Sequence, residues 1–131
     1  MNQIQKQMLL AVLKEIREKI GDEINTNKLS SLLIELDKRG YNLTTVVEGH
    51  KGLCTPYLRY KIQDLIIFSI LDNTNKPLHI TKEGLEYIDK EIEGLQSDPQ
   101  YKDFLRITSE VIQEKFLLPQ PSDIDIFHFF I

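Results

Sequence analysis

Residues 55–88 read TPYLRYKIQDLIIFSILDNTNKPLHITKEGLEYI, and they carry the clearest secondary-structure signals of the chain. Thr55-Pro56 predicts the start of a helix, because threonine caps free backbone amides and proline at the first helical position loses no hydrogen bond. The sequence DNTNKP has the composition of a turn and lies between two segments compatible with β-structure, Ser69–Leu71 and Leu78–Ile80. Thr81 then predicts the N-cap of the next helix. The stretch therefore predicts a helix, a small hairpin and a second helix, in that order.

The first of these two helices has one apolar face and an apolar end. The face consists of Leu58, Ile62, Leu65 and Ile66. The run LIIF at 65–68 is apolar nearly all round, so we expect the second half of this helix to be deeply buried.

Two more helices are predicted before this stretch. Apolar residues recur every four positions from Ile4 to Ile20, and Gly21 is placed to end that helix. The second helix has Thr26 or Asn27 as its N-cap, and Gly40 follows its last apolar position.

The segments on either side complete the prediction. Residues 41–47 are rich in Thr and Val and predict a short strand or an extended loop, followed by a turn-like stretch at 49–54. The helix after Thr81 has an apolar face of Leu85, Ile88, Ile92 and Leu95. Asp98-Pro99 then repeats the cap-plus-proline pattern and opens a fifth helix.

Three helices, a hairpin and a further helix that starts ITKEG at 80–84 follow the order of a winged helix-turn-helix domain, in which a β-wing follows the recognition helix. More narrowly, residues 27–90 resemble the winged-helix family that includes the SocA/Panacea-type antitoxins. That family has a Gly-Pro-Tyr/Phe-Ser motif at the start of its third helix and a glycine at the end of that helix. Here the motif is spread over Gly52, Pro56 and Tyr57, and Ser69 stands where the glycine would be.

Composition and charge narrow the class of protein. The chain of 131 residues is 41% hydrophobic and 27% charged, which is typical of a globular protein, and we expect one domain over residues 1–131. Within it we expect the helix-turn-helix and wing at about 4–90, and a C-terminal helix with a docking tail at about 98–131. One cysteine, no apolar run of ~20 residues and the start MNQIQKQ favour a cytoplasmic protein without a membrane span.

The net charge of −4 is unevenly distributed. Residues 1–81 carry 11 Lys and Arg against 9 Asp and Glu, whereas residues 82–131 carry 5 against 11. We expect the acidic C-terminal part to lie away from any surface that faces phosphates, because like charge there would oppose association.

A basic and aromatic patch is the leading functional signal. Between Glu48 and Asp64 there is no acidic residue, and tyrosines alternate with basic residues. In a winged helix this region is the start of the recognition helix, where side chains reach base edges and phosphates. The predicted DNA-binding residues are Lys51, Thr55, Tyr57, Arg59, Tyr60 and Lys61. The alternative is that Arg59 and Lys61 only solvate the exposed face of a half-buried helix.

The C-terminal segment is strongly apolar and follows two prolines, Pro119 and Pro121. Exposed, such a segment would promote aggregation, so we expect a surface to cover it. Either it folds over the core of its own domain, or it docks on a partner protein or a second copy. The predicted partner-binding residues are Ile126, Phe127, Phe129, Phe130 and Ile131.

The sequence gives little support to an enzyme. His50 and Cys54 are close in sequence, but no third orienting group is indicated. The three histidines and the cysteine do not have the spacing of metal ligands, and we expect neither a metal nor a cofactor nor a small-molecule substrate. The leading hypothesis is a non-enzymatic winged-helix DNA-binding regulator or antitoxin-like component. The alternative is a winged-helix adaptor in a larger protein complex, such as a defence or toxin system.

Overall fold

The computed structural model describes residues 3–74 and 76–117. Within these ranges the chain is mainly helical, with five α-helices and two small antiparallel sheets of two strands each. The helices are α1 (Gln3–Lys19), α2 (Thr26–Lys38), α3 (Leu58–Ile67), α4 (Lys82–Ile92) and α5 (Pro99–Ile112). The strands are β1 (Val47–Gly49), β2 (Gly52–Cys54), β3 (Leu71–Asp72) and β4 (His79–Ile80). A 3-10 turn at Glu93–Leu95 follows α4, and a π-helical turn at Gln113–Leu117 follows α5. The predicted five helices and small β content are confirmed for the described residues.

Side-chain caps fix where most of the helices begin. The hydroxyl of Thr81 accepts a hydrogen bond from the Gly84 amide, and the Asp98 carboxylate accepts one from the Gln100 amide, both at 2.8 Å. These two predicted starts are confirmed. The predicted cap of α2 is wrong by one residue, because Asn25 occupies that position and its side chain accepts from the Lys28 amide at 3.0 Å.

The predicted start of α3 at Thr55-Pro56 is also wrong. The helix begins at Leu58, and Tyr57 in the N-cap position makes no capping hydrogen bond through its side chain. The Thr55 hydroxyl is instead hydrogen bonded to the Ser30 hydroxyl of α2 at 2.7 Å. The hydroxyl that the local sequence predicts as the cap of α3 is therefore used in a tertiary contact with α2.

Two backbone hydrogen bonds close a tight turn at the end of α3. The Ser69 amide donates to the Ile66 carbonyl at 3.0 Å, and the Ile70 amide donates to the Leu65 carbonyl at 2.9 Å. This pattern requires a left-handed residue after the helix, and Ser69 has a φ of 62°. Ser69 thus adopts the conformation in which glycine is the favoured residue.

Both hairpins are antiparallel. In the first, Val47 pairs with Cys54 around a turn at His50 and Lys51. Its second strand was predicted only as a turn-like stretch. In the second hairpin, which matches the prediction, Leu71 pairs with Ile80.

One apolar core receives side chains from all five helices. It is composed of Leu9, Leu10, Ala11, Val12, Leu13, Ile16, Ile24, Leu29, Leu32, Leu33, Leu36, Leu43, Leu58, Ile62, Leu65, Ile70, Leu71, Ile80, Ile88, Ile92, Tyr101, Phe104, Val111 and Ile112. The second half of α3 departs from the expectation of deep burial, because Ile67 and Phe68 are 74% and 75% exposed. Of the run LIIF, Leu65 is buried and Ile66 is half-buried against the core, whereas Ile67 and Phe68 lie on the surface because α3 presents only one face to the core.

No helix within residues 3–74 and 76–117 combines the length and the apolar character needed to cross a membrane.

Candidate nucleic-acid interface

Three of the six predicted DNA-binding residues meet on the surface at the start of α3. The rings of Tyr57 and Tyr60 lie 6.4 Å apart between centroids, and the guanidinium of Arg59 lies 4.9 Å from the centroid of the Tyr60 ring. The two tyrosines are 55% and 49% exposed. We call Tyr57, Arg59 and Tyr60 the α3 aromatic cluster. It presents two ring faces and one cation to solvent.

Arg59 is held in place by its neighbour. Its Nη2 donates a hydrogen bond to the Tyr60 hydroxyl at 3.1 Å, and that bond raises the pKa of Arg59. The guanidinium is a fixed, fully charged donor at every physiological pH. Its remaining N–H groups are suited to a phosphate or to the acceptor edge of guanine.

Lys61 lies in a different environment from Arg59. Its ammonium donates to the Leu43 carbonyl at 2.7 Å, and burial lowers the pKa of this lysine. Leu43 belongs to the core, so Lys61 anchors the segment between α2 and β1 onto α3. The structure therefore places Lys61 in a bond within the protein, while Arg59 is exposed.

Lys51 lies apart from the α3 aromatic cluster in sequence, at the exposed turn of the β1–β2 hairpin. The sixth predicted residue, Thr55, follows that hairpin and is half-buried in its bond with Ser30. Through this bond the base of the hairpin is attached to α2. The hairpin and α3 are consequently both fixed to the helical core.

The exposed apolar side chains of the hairpin were missed from the sequence. Val47 on β1 and Leu53 on β2 are both exposed. The signal that could have found them is the pair Gly49 and Gly52 around a two-residue turn, with Gly52 at a φ of 111°. The pairing of Val47 with Cys54 and of Glu48 with Leu53 places these two apolar side chains on opposite faces of the hairpin. The hairpin is included in the candidate site because Lys51 lies at its turn.

Two acidic side chains of the C-terminal part pair with basic residues on α1 and at the end of α2. Asp89 pairs with Lys14 of α1 at 2.6 Å, and Glu114 pairs with Arg39 at 3.2 Å. Glu83 lines a groove together with Asp64, which belongs to the second half of α3. The acids named here therefore lie against α1, α2 and the second half of α3.

A groove lies between α1, α3 and α4 and encloses a volume of about 380 Å³. Its lining is mostly apolar, with charged groups at the rim, and consists of Lys6, Leu9, Leu10, Lys61, Asp64, Leu65, Phe68, Ser69, Ile70, Glu83, Gly84 and Tyr87. Sequence reasoning missed this groove, because the apolar end of α3 was assigned to the core.

Across residues 3–74 and 76–117, no three His, Cys, Asp or Glu side chains are grouped so that they could hold a metal ion. Cys54 is exposed on β2.

The predicted partner-binding residues Ile126, Phe127, Phe129, Phe130 and Ile131 lie outside the described residues. Comparison of the chain with protein-family models, with curated proteins and with solved structures found no match.

Proposed function

We propose that this protein is a non-enzymatic winged-helix DNA-binding regulator or antitoxin-like component, with α3 as its recognition helix. The order α1, α2, α3, β3, β4, with the β1–β2 hairpin inserted between α2 and α3, supports this assignment. So does an antiparallel bridge between Glu23 and His79, beside which the Ile24 amide donates to the Leu78 carbonyl at 2.7 Å. The segment after α1 is thereby joined to the β3–β4 hairpin, as expected for a wing that packs on a three-helix unit.

The sequence ITKEG at 80–84 has a structural role that fits the same assignment. Besides capping α4, the Thr81 hydroxyl donates to the Ser69 carbonyl at 2.6 Å. Gly84 lies so close to the Ile70 backbone that a side chain there would overlap it. The start of α4 is thus fixed directly against the end of α3, and the hairpin between them is held at a defined angle.

The observation that carries the proposal is the α3 aromatic cluster. DNA-binding side chains combine a guanidinium, which contacts phosphate or guanine, with aromatic faces and hydroxyls that contact sugars and bases. Tyr57, Arg59 and Tyr60 supply these groups from the first turn of α3, the part of a recognition helix that reaches base edges. Lys51 at the hairpin turn would add a phosphate contact.

The small number of cations sets the expected strength of binding. With Arg59 and Lys51 as the phosphate contacts, the logarithm of the binding constant should fall with the logarithm of salt concentration with a slope of about −2. Non-specific affinity should therefore be weak at physiological salt and measurable at low salt.

The adaptor function is the second candidate, and the hairpin favours it. Val47 and Leu53 each place one exposed apolar side chain on a face of the hairpin, and Tyr and Arg are also the residues that dominate protein interfaces. On this candidate the same surface binds a partner protein and has no affinity for DNA.

Binding of the purified chain to random-sequence duplex DNA, measured by fluorescence anisotropy at low salt, tests the proposal. We expect Arg59→Ala to weaken binding about 10-fold, as for loss of one good guanidinium contact. Arg106→Ala is the matched control, because Arg106 is an exposed arginine of α5 that pairs with Asp103 and Glu110. Absence of binding by the unaltered protein at low salt would overturn the DNA proposal and favour the adaptor.

A further inference from the structure

The groove between α1, α3 and α4 is bordered by an exposed phenylalanine, whose neighbour in sequence is an exposed isoleucine. Phe68 lines the groove and is 75% exposed, and its neighbour Ile67 is 74% exposed. Two adjacent large apolar side chains at a helix end, beside an apolar cavity, form a patch of the kind that soluble proteins cover. The groove floor is supplied by Leu9, Leu65 and Ile70.

We propose that residues Ser122–Ile131 of the same chain occupy this groove and cover Ile67 and Phe68. This segment reads SDIDIFHFFI, and six of its ten residues are Ile or Phe. A segment of that composition requires an apolar receptor, and the groove is an apolar receptor without an occupant among residues 3–74 and 76–117. The inference does not depend on DNA binding.

The length of the chain permits the contact. The described chain ends at Leu117, and the preceding Phe116 lines a smaller cavity with Ile16 and Ile20 near the end of α1. The groove meets the same helix at Leu9 and Leu10, roughly 15 Å away along its axis. An extended chain advances roughly 3.3 Å per residue, so Ile124 can lie about 23 Å from Leu117.

Two prolines make this path favourable. Proline disfavours helical backbone at the residue before it, so we expect the sequence around Pro119 and Pro121 to lead the segment away from α5 instead of prolonging that helix. Because the segment is tethered, its effective concentration at the groove is of millimolar order, and a segment from another molecule competes poorly with it.

The rim of the groove carries both signs of charge, so the occupant is selected mainly by its apolar surface. Lys6 and Lys61 are balanced by Asp64 and Glu83. The Lys6 ammonium donates to the Tyr87 hydroxyl at 2.6 Å. An occupant with two acidic residues among six large apolar ones can place its acids near the lysines and its apolar residues on the floor.

The test uses a tryptophan reporter, because the chain contains no tryptophan. In Phe68→Trp the indole should report a buried environment, with blue-shifted emission and protection from acrylamide. Adding Phe127→Ser, Phe129→Ser and Phe130→Ser should shift the emission to the red and remove the protection. Tyr60→Trp, on the exposed first turn of α3, is the control and should not respond to the three serine changes.

A second measurement keeps the proposal testable if the serine variant folds poorly. In a Cys54→Ser background, Ile67→Cys and Phe129→Cys should form a disulfide within one chain under mild oxidation, detected as a faster-migrating monomer. Indole emission unchanged by the serine substitutions in a folded protein would overturn the proposal. So would a disulfide that forms only between chains, since the occupant would then be the segment of a second copy.

Discussion

The ammonium of Lys61 lies 2.7 Å from the carbonyl oxygen of Leu43, while Arg59, two residues earlier on α3, is fully exposed and hydrogen bonded to Tyr60. These two basic residues were predicted to act together on DNA. Their contacts give them separate roles. Lys61 holds the segment after α2 against α3, and Arg59 is presented to a ligand.

Matched substitutions should separate the two roles. Lys61→Met keeps an aliphatic side chain but leaves the Leu43 carbonyl without its donor, so we expect a loss of about 1 kcal/mol in the free energy of unfolding. Arg59→Met alters an exposed side chain and should change that free energy by less than about 0.5 kcal/mol. Urea unfolding followed by circular dichroism measures both. Equal losses for the two variants would contradict the assignment of Lys61.

A substitution at Ser69 should increase the stability of the protein. Its left-handed conformation at the end of α3 costs a residue with a side chain roughly 1 kcal/mol, and glycine adopts it freely. Ser69→Gly should therefore raise the stability by about 0.5–1 kcal/mol and raise the melting temperature. Ser69→Ala, which keeps the Cβ, is the control and should not stabilise. A destabilised glycine variant would show that the side chain of Ser69 is needed.

Gly84 tests the contact between α4 and the end of α3. A Cβ at this position would overlap the Ile70 backbone, so Gly84→Ala should destabilise by about 1–3 kcal/mol, although alanine is the better helix former. Gly94→Ala is the matched control, because no atom of the described chain lies within 4 Å of a Cβ there. Thermal unfolding of the two variants should therefore differ clearly, and similar melting temperatures would argue against the close approach.

Acid sensitivity should arise in part from Asp103. Hydrogen bonds from Arg106 and from the Tyr41 hydroxyl lower the pKa of this carboxyl, so its contribution to stability is fully present above the ordinary carboxyl pKa. That contribution is lost as the pH falls through the lowered value. Asp103→Asn should be less stable than the unaltered protein at pH 7, and the difference should shrink at about pH 3. Urea midpoints at the two pH values measure it, and a constant difference would rule out this carboxyl as the source.

Local signals in the sequence predicted most helix ends because the caps are short-range. Thr81 and Asp98 cap through amides two or three residues ahead, and Gly40 ends α2 with a φ of 95°. Contacts between residues distant in sequence cannot be predicted from these short-range patterns. Thr55 was predicted to cap α3, but its hydroxyl is hydrogen bonded to that of Ser30, which is distant in sequence.

The candidate site was predictable only in part for the same reason. Exposure of Tyr57, Arg59 and Tyr60 follows from the apolar period of α3, which places Leu58, Ile62 and Leu65 in the core. The run LIIF led to a wrong prediction of deep burial, because composition alone does not say which residues of an apolar run face away from the core. The hydrogen bond of Lys61 requires the Leu43 carbonyl to lie next to α3, and no local sequence pattern predicts that position.

In the proposed interface α3 and the β1–β2 hairpin both face DNA, and the exposed Cys54 on β2 allows a direct measurement of this arrangement. An iron chelate attached to Cys54 cleaves nucleic acid that lies close to it. We predict cleavage of bound duplex DNA at low salt, which Arg59→Ala should reduce. The same chelate on Arg106→Cys in a Cys54→Ser background should cleave little, since that position on α5 lies outside the proposed interface. Equal cleavage from both positions, or none from Cys54, would show that this surface does not face DNA.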